Sequence, residues 1–201
     1  MRRQTRRIRT YERVHLGSLY RDAGRYLRES TVYIIGVIVL FALSIFFGFA
    51  FPTLFTRFDD LLRDIIAATK GLSAFDLIVY IFANNFQSSL YGIIFGVLFG
   101  LFPAGAAILN GALLGYVLHL SWGVTGISEF WRLLPHGIFE LPAVFISLGL
   151  GVRLGTWVFA KRRMAALAHH LYHGLLVFIL IVVPLLIIAA IIEGVLITRF
   201  T

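Results

Sequence analysis

The chain has 201 residues, of which 59% are hydrophobic and 14% are charged, and its mean hydropathy is +0.89. Because the apolar residues come in long runs, this composition excludes an ordinary soluble domain and indicates an integral membrane protein. The lack of cysteine excludes disulfides, thiolate metal ligands and a cysteine nucleophile. The net charge of +8 does not indicate nucleic-acid binding, because the Lys and Arg residues lie beside apolar runs, where they set membrane orientation and contact anionic lipid headgroups.

Residues 1–30 form a predicted basic cytoplasmic arm. They contain nine Arg against three acidic residues, with apolar side chains scattered between them. Such a segment is typical of a partly helical arm that lies on anionic headgroups. We therefore expect the lipid bilayer, with its anionic lipids, to be one partner of the chain.

Residues 31–201 are predicted to form one transmembrane helical domain. A span needs about 20 apolar residues to cross a hydrocarbon core of about 30 Å. The Pro and Gly residues of "FPAGA" (102–106) predict a tight turn, and Pro184 predicts a kink in the last span. Glu193, near the outer end of that span, is assigned no special role. The predicted spans are 31–51, 75–101, 104–122, 134–158 and 175–193.

Two amphipathic segments are predicted to lie along the membrane surface. Residues 58–70 place apolar side chains on one helical face and charged side chains between them, which is typical of an outer interfacial helix. The segment "KRRMAALAHHLYHG" carries His169, His170 and His173 but lacks the glutamate of the HExxH zinc motif. We therefore interpret it as an interfacial helix on the cytoplasmic side.

The distribution of positive charge predicts the orientation. With five spans, thirteen Lys and Arg residues lie on the side of the N-terminus and five lie on the opposite side. Positive residues accumulate on the cytoplasmic side of membrane proteins. We therefore expect a multi-pass protein of the cell membrane, with its N-terminus inside and its C-terminus outside.

Glycines recur at four-residue intervals in three consecutive predicted spans. In lipid no hydrophobic force pulls helices together, so close contact depends on small residues that let backbones touch. The pattern predicts one tight bundle of the second, third and fourth spans, although glycine is also common in membrane helices generally. The predicted contact residues are Gly92, Gly96, Gly100, Gly111, Gly115, Gly151 and Gly155, with Gly137 allowing a further close approach.

Seven polar side chains fall in the same three spans, where such residues are rare. They are Asn84, Asn85, Gln87, Asn110, His119, His136 and Glu140. His136 and Glu140 are four residues apart and therefore share one helical face. An ionised carboxylate that faces lipid costs at least about 2.5–3.5 kcal/mol, so Glu140 must face the bundle. We predict that His136 and Glu140 lie close to Asn84, Asn85 and His119.

Three hypotheses for this polar cluster remain open. The polar groups can form a hydrogen-bonded network that holds the helices in register. They can also line a route for an ion, a proton or a small solute. Finally, His119, His136 and Glu140 are weak candidates for a metal-centred or acid–base site, although a catalytic metal needs about three protein ligands and an open position. No cofactor is predicted.

The motifs "FANNF", "GVLFGL", "LNGALLG" and "LPHGIFELPAVFISLGLGVRLG" resemble the stage II sporulation protein M family of polytopic membrane proteins. The resemblance covers about residues 82–155. It implies a membrane component of a machine that remodels the cell envelope, working with separate hydrolytic partners and not cutting the polymer itself. The positions that match the shared pattern are Asn84, Asn85, Asn110, Gly111, Pro135, His136, Gly137 and Glu140.

The leading functional hypothesis is a non-enzymatic membrane scaffold that recruits or positions other membrane proteins or further copies of itself. A transporter or channel with a polar path through the second to fourth spans is the first alternative. An intramembrane metal-dependent enzyme is the second.

Overall fold

The computed structural model describes residues 16–125 and 134–200, with side-chain environments described for residues 16–122 and 140–195. In these ranges every regular element is helical, which confirms the predicted all-α class. Five helices are long and apolar enough to cross a membrane, as predicted. These candidate spans are Thr31–Ala50, Ala74–Val97, Leu101–Trp122, Glu140–Phe159 and Arg163–Val195. The first half of the predicted arm, residues 1–15, lies outside the described residues.

The described residues contain eight α-helices. They are α1 (Leu16–Glu29), α2 (Thr31–Ala50), α3 (Phe58–Thr69), α4 (Ala74–Ile94), α5 (Leu101–Thr125), α6 (Leu134–Gly155), α7 (Arg163–Val177) and α8 (Val183–Phe200). A π-helical segment, Phe178–Val182, joins α7 to α8 directly before Pro184. Because proline lacks an N–H group, a local π turn at this point adjusts the hydrogen-bond ladder.

The histidine segment is continuous with the last span. The candidate span Arg163–Val195 has 33 residues and runs through α7, the π turn and most of α8. At about 1.5 Å per residue such a helix reaches about 50 Å, well beyond a hydrocarbon core of about 30 Å. The helix is therefore longer than a span needs, and its first part, α7, packs against α1.

The turn between the second and third spans lies earlier than predicted. The sequence predicts it at residues 102–106, but α5 already begins at Leu101. Phe99 and Gly100 instead reverse the chain with φ of 57° and 72°, a conformation in which glycine carries no steric penalty. Pro103 is buried in the first turn of α5, where its missing N–H group costs nothing.

Glycine contacts bring α4 and α6 together. A Cβ atom on Gly96 would collide with the carbonyl oxygen of Gly151, and one on Gly155 would collide with the backbone of Gly100. Gly92 in turn lies against Leu148 and against Gly151. Gly96 and Gly100 follow the end of α4 at Ile94, so α6 contacts the backbone of the last turn of α4 at Gly92 and of the segment that follows it.

The glycines of α5 contact a different partner from the one predicted. The sequence groups α5 with α4 and α6, but a Cβ atom on Gly111 or Gly115 would collide with the backbone of α2 at Phe41 or Ile45. Gly48 of α2 makes the reciprocal contact with α5. A GxxxG spacing identifies a close helix contact but carries no information about which helix makes it. Gly137 lies outside the residues whose side-chain environment is described.

Candidate polar cavity

A cavity of about 800 Å³ lies among α3, α4, α6 and α8. We call this region of the bundle the cavity end. One wall comes from α3 and the turn that follows it, and apolar and polar side chains of α4, together with Glu140 of α6 and Glu193 of α8, line the rest. The described lining residues are Ile65, Ile66, Thr69, Lys70, Gly71, Leu72, Leu77, Tyr80, Ile81, Asn84, Asn85, Glu140 and Glu193.

The sequence of α4 explains why one of its faces lines the cavity. Ser73 begins the helix, and its hydroxyl oxygen accepts a hydrogen bond from the Asp76 amide at 3.2 Å. From this start, Leu77, Ile81 and the pair Asn84 and Asn85 follow at intervals of three and four residues. That spacing puts them on one helical face. Asn84 donates a long hydrogen bond of 3.5 Å to the Asn85 side chain.

The polar residues of three helices lie at similar depths. At about 1.5 Å per residue, Asn84 lies about 15 Å from the start of α4, and Glu140 lies about 9 Å from the start of α6. Glu193 lies about 10 Å before the end of α8 by the same measure. The carboxyl and amide groups therefore share the half of the bundle next to α3.

The cavity separates the predicted polar cluster into two groups. Asn84, Asn85 and Glu140 line the same cavity. His136 lies outside the residues with described side-chain environments, so its predicted place beside Glu140 stays a prediction. The outlying polar residues are Gln87, Asn110 and His119.

Each of these three outlying residues is exposed and has a local partner. Gln87 donates a hydrogen bond to the Tyr91 hydroxyl at 3.0 Å, and Asn110 donates one to the Ala106 carbonyl at 2.8 Å. His119 packs on the Phe49 ring of α2 at 5.5 Å between centroids and is not among the lining residues of the cavity, so its predicted proximity to Glu140 stays a prediction. His119 lies one helical turn after Gly115, which also contacts α2 at Ile45 and Phe49.

Glu193 is the cavity residue that the sequence reasoning missed. Its position near a helix end suggested no special role, yet it lines the cavity together with Glu140. The sequence does contain a feature that points to Glu193. A carboxyl group in an otherwise apolar membrane helix is unfavourable in free energy, so such a residue is by default a functional candidate. Among the described residues, no three His, Asp or Glu side chains are grouped as metal ligands.

A second polar cluster lies at the opposite end of the bundle, which we call the arm end. There Arg153 of α6 joins α1 to the spans, with its side chain only 12% exposed. Its guanidinium donates hydrogen bonds to the Tyr26 carbonyl at 3.0 Å, to the Ser30 hydroxyl at 2.8 Å and to the Glu29 carboxylate at 2.9 Å. The hydrogen bond from Arg153 lowers the pKa of the Glu29 carboxyl below its ordinary value.

The Tyr26 ring forms the centre of this arm-end cluster. The Arg153 guanidinium lies 4.0 Å from the ring centroid, within the range of a cation–π interaction. The Tyr26 hydroxyl lies 3.0 Å from Nδ1 of His170, and the ring also contacts His169 and His173. Burial raises the pKa of Tyr26 to about 12, although the nearby guanidinium acts in the opposite direction.

The sequence reasoning assigned Arg153 only to the count of positive charges. A single Arg within the apolar "GVRLG" is the pattern that predicts a buried partner, because an unpaired cation is unfavourable there. The structure shows that α1, part of the predicted arm, supplies that partner.

The comparisons with known proteins agree with the motifs on α4, α5 and α6. The family model described as Stage II sporulation protein M matches residues 30–198, which include all five candidate spans. No curated protein and no solved structure matches the chain. Since the matched region is most of the sequence, the chain belongs to the stage II sporulation protein M family.

Proposed function

We propose that this protein is a non-enzymatic membrane scaffold that positions partner proteins in a cell-envelope remodelling complex. Membership of the stage II sporulation protein M family supports this role. The observation that carries the proposal is the apolar core between the cavity and the arm end. A scaffold needs a rigid bundle with an accessible binding surface, whereas a channel needs a continuous polar route.

The described part of the bundle favours binding over passage. Between the cavity and the arm end, Ile93, Leu150, Phe178 and Val182 belong to one buried apolar cluster contributed by α4, α6 and the last span. Phe86 packs against this cluster, directly after the cavity residues of α4. Close-packed side chains leave no space for a hydrated ion. The cavity is therefore better suited to binding a ligand than to conducting an ion across the membrane.

Helix α3 is the proposed surface for partners. It has no buried residue, and its Asp60, Arg63 and Asp64 side chains are exposed. Its first turn is anchored to the spans, because the Tyr116 hydroxyl donates a hydrogen bond of 2.7 Å to Asp59. An exposed charged face on an anchored helix suits recognition of another protein at the membrane surface.

Site-directed photo-crosslinking in the native membrane tests the scaffold role. A photoreactive amino acid at Arg63 is expected to trap a partner protein or a second copy of the chain. The same group at Ile38, which is exposed on α2, serves as the matched control and is expected to trap lipid only. If both positions give only lipid adducts, and if the protein purifies in mild detergent without a partner or self-assembly, the scaffold proposal fails.

A transporter is the second candidate, and the cavity itself is the observation that favours it. Transport would require the core beneath Asn85 and Glu140 to open during a cycle. Solute flux into proteoliposomes that falls in both Asn85→Ala and Glu140→Gln would replace the scaffold proposal. Flux that is absent, or insensitive to both changes, would eliminate the transporter.

We also propose that the arm end is cytoplasmic and that the exposed Arg21, Arg25 and Arg28 side chains contact anionic headgroups of the cell membrane. The excess of positive charge on that side supports this orientation. Because the chain has no cysteine, single substitutions provide a clean test. A membrane-impermeant maleimide added outside intact cells is expected to label Arg63→Cys and not Gly17→Cys. The reverse labelling would invert the topology.

A further inference from the structure

We propose that the exposed side of α4 binds a second copy of this chain within the membrane. This surface is separate from the α3 surface, and the inference does not rest on the scaffold role. It rests on a row of exposed side chains that follow one another along α4 in alternating steps of four and three residues. We call this row the α4 stripe, and its members are Tyr80, Asn84, Gln87, Tyr91 and Ile94.

The described part of the bundle leaves the α4 stripe uncovered. The opposite face of α4 packs on α8 through Leu77 and Ile81, and on α6 through Gly92. Steps of four and three residues average 3.5, which is the repeat of two helices that pack side by side over several turns. The sequence of α4 therefore encodes a second helix-packing face besides the one that the bundle uses.

Two amide side chains of the stripe lie near the middle of the membrane. At about 1.5 Å per residue, Asn84 and Gln87 lie about 15 Å and about 20 Å from the start of α4. The candidate span to which they belong has 24 residues. An amide that faces hydrocarbon lacks the hydrogen bonds that water would supply, which is unfavourable. A protein partner removes this cost, whereas lipid tails do not.

Both amides retain hydrogen-bonding groups for such a partner. Gln87 uses one N–H group on the Tyr91 hydroxyl at 3.0 Å, and Asn84 makes, among the described residues, only the long bond of 3.5 Å to Asn85. A primary amide carries two donors and an acceptor, so it is complementary to an identical amide. Asn110 is the contrast, because it donates to a carbonyl of its own helix at 2.8 Å and α5 contains no second amide side chain.

The spacing and the chemistry of the stripe favour a second copy as its occupant. Copies of a membrane protein share one orientation, so two α4 helices related by a two-fold axis along the membrane normal run parallel. In a parallel pair with this repeat, each stripe position faces its own counterpart. Asn84 and Gln87 therefore each meet an identical amide. Tyr80 and Asn84 also line the cavity, so the interface runs beside the cavity end.

Photo-crosslinking of the full-length chain in its native membrane tests the occupant. A photoreactive amino acid at Ile94, on the stripe but away from its amides, is expected to give a covalent dimer of the chain. The same group at Val79 is the matched control, because Val79 is exposed on α4 about a quarter turn away from the stripe and is expected to give lipid adducts only. Adducts of Ile94 with lipid alone or with a different protein, or equal dimer yields from both positions, would overturn the proposal.

Sedimentation equilibrium of the purified chain in mild detergent tests the amides. Gln87→Leu and Asn84→Leu are each expected to raise the dimer dissociation constant about threefold to tenfold, as for loss of an interhelical hydrogen bond in a membrane protein. Asn110→Leu is the matched control, since it makes the same exchange at an exposed amide outside the stripe and is expected to leave the constant unchanged. All three side chains are exposed, so we expect every variant to fold.

Two results of this measurement would overturn the proposal. The first is a wild-type chain that stays monomeric, and the second is unchanged dimer affinity when both stripe amides are replaced by Leu. A different protein trapped from Arg63 supports the scaffold role whether or not α4 pairs with its counterpart. Failure of the α4 interface and failure of the scaffold role are therefore distinguishable.

Discussion

The two ends of the bundle use polar side chains in opposite ways. At the arm end, Arg153 is nearly enclosed, and Tyr26, Glu29 and Ser30 of the chain itself surround its guanidinium. At the cavity end, carboxyl and amide groups line open space of about 800 Å³. Polar groups that are paired across helices fix the position of those helices, whereas polar groups that line a cavity can be reached by a ligand. We therefore expect substitutions at the arm end to lower the stability of the bundle, and substitutions at the cavity end to affect ligand binding.

The largest expected effect concerns the glycine contacts next to the arm end. Gly151→Ala places a Cβ atom against the backbone of Gly92, so α4 and α6 must separate or shift. We expect the free energy of unfolding to fall by about 3 kcal/mol, at the upper end of the usual cost of overpacking. Unfolding by denaturant in detergent micelles measures the effect.

Gly105→Ala on α5 is the matched control for this change. A Cβ atom there has no neighbour within 4 Å, so the added methyl group needs no rearrangement. Because alanine is a better helix former than glycine, we expect a gain of about 0.5–1 kcal/mol or no change. If Gly151→Ala and Gly105→Ala lower the free energy of unfolding equally, the close contact between α4 and α6 does not account for the stability of this part of the bundle.

The second effect concerns the arginine cluster. Arg153→Met keeps the length of the side chain but removes the hydrogen bonds to Tyr26, Ser30 and Glu29. We expect a loss of about 2–3 kcal/mol in the free energy of unfolding, because nearly buried polar groups lose a charged partner. Arg63→Met is the control, since its contact with Asp60 is exposed and is worth less than about 1 kcal/mol.

Proteolysis adds a structural measure of the same cluster. Limited trypsin digestion is expected to cut within α1 earlier in Arg153→Met than in the wild type, because α1 loses its attachment to α6. If α1 remains equally protected in the variant, then its packing against α7 is sufficient and the cluster does not hold the arm.

The third effect is a dependence of stability on alkaline pH. The pKa of Tyr26 is about 12 in the folded protein and about 10 in the unfolded chain, because burial disfavours the phenolate. Since the folded pKa is raised, this contribution is fully present below pH 10 and is lost as the pH rises to about 12. The loss is about 2–3 kcal/mol for a shift of this size.

Melting temperatures between pH 9 and pH 12 check this dependence. Tyr26→Phe is expected to lack the alkaline loss, although it starts from a lower stability because the contact with His170 is gone. Tyr20→Phe is the control, since Tyr20 is half exposed and lies outside the arm-end cluster. A wild-type curve that is parallel to that of Tyr26→Phe would contradict the burial of this phenol.

The smallest effect is expected at the cavity end. Asn84→Ala removes an exposed amide whose hydrogen bond to Asn85 is long, so we expect the free energy of unfolding to change by less than about 1 kcal/mol. Unfolding by denaturant in detergent micelles measures this change. A loss as large as that of Arg153→Met would contradict this expectation. It would mean that the cavity residues also hold the helices together.

Part of the candidate site could be predicted from the sequence. The pair Asn84 and Asn85 and the carboxyl group of Glu140 were placed together, because helix length and direction fix the depth of each residue. Depth alone does not indicate that the His119 ring packs on Phe49 of α2, the helix that the α5 glycines also contact. Helical rotation depends on contacts with other helices, and periodicity is weak in a helix that is apolar on all sides.

The sequence by itself determined the class of protein, the number of spans and the family. These properties follow from local runs of apolar residues and from motifs within single helices, so they need no knowledge of which helices meet. Only the tertiary structure decided that Glu193 lines the cavity with Glu140, and that Arg153 pairs with Glu29. Both pairings join residues far apart in the chain, and in lipid such partners are chosen by backbone fit and polar contact, which no single segment encodes.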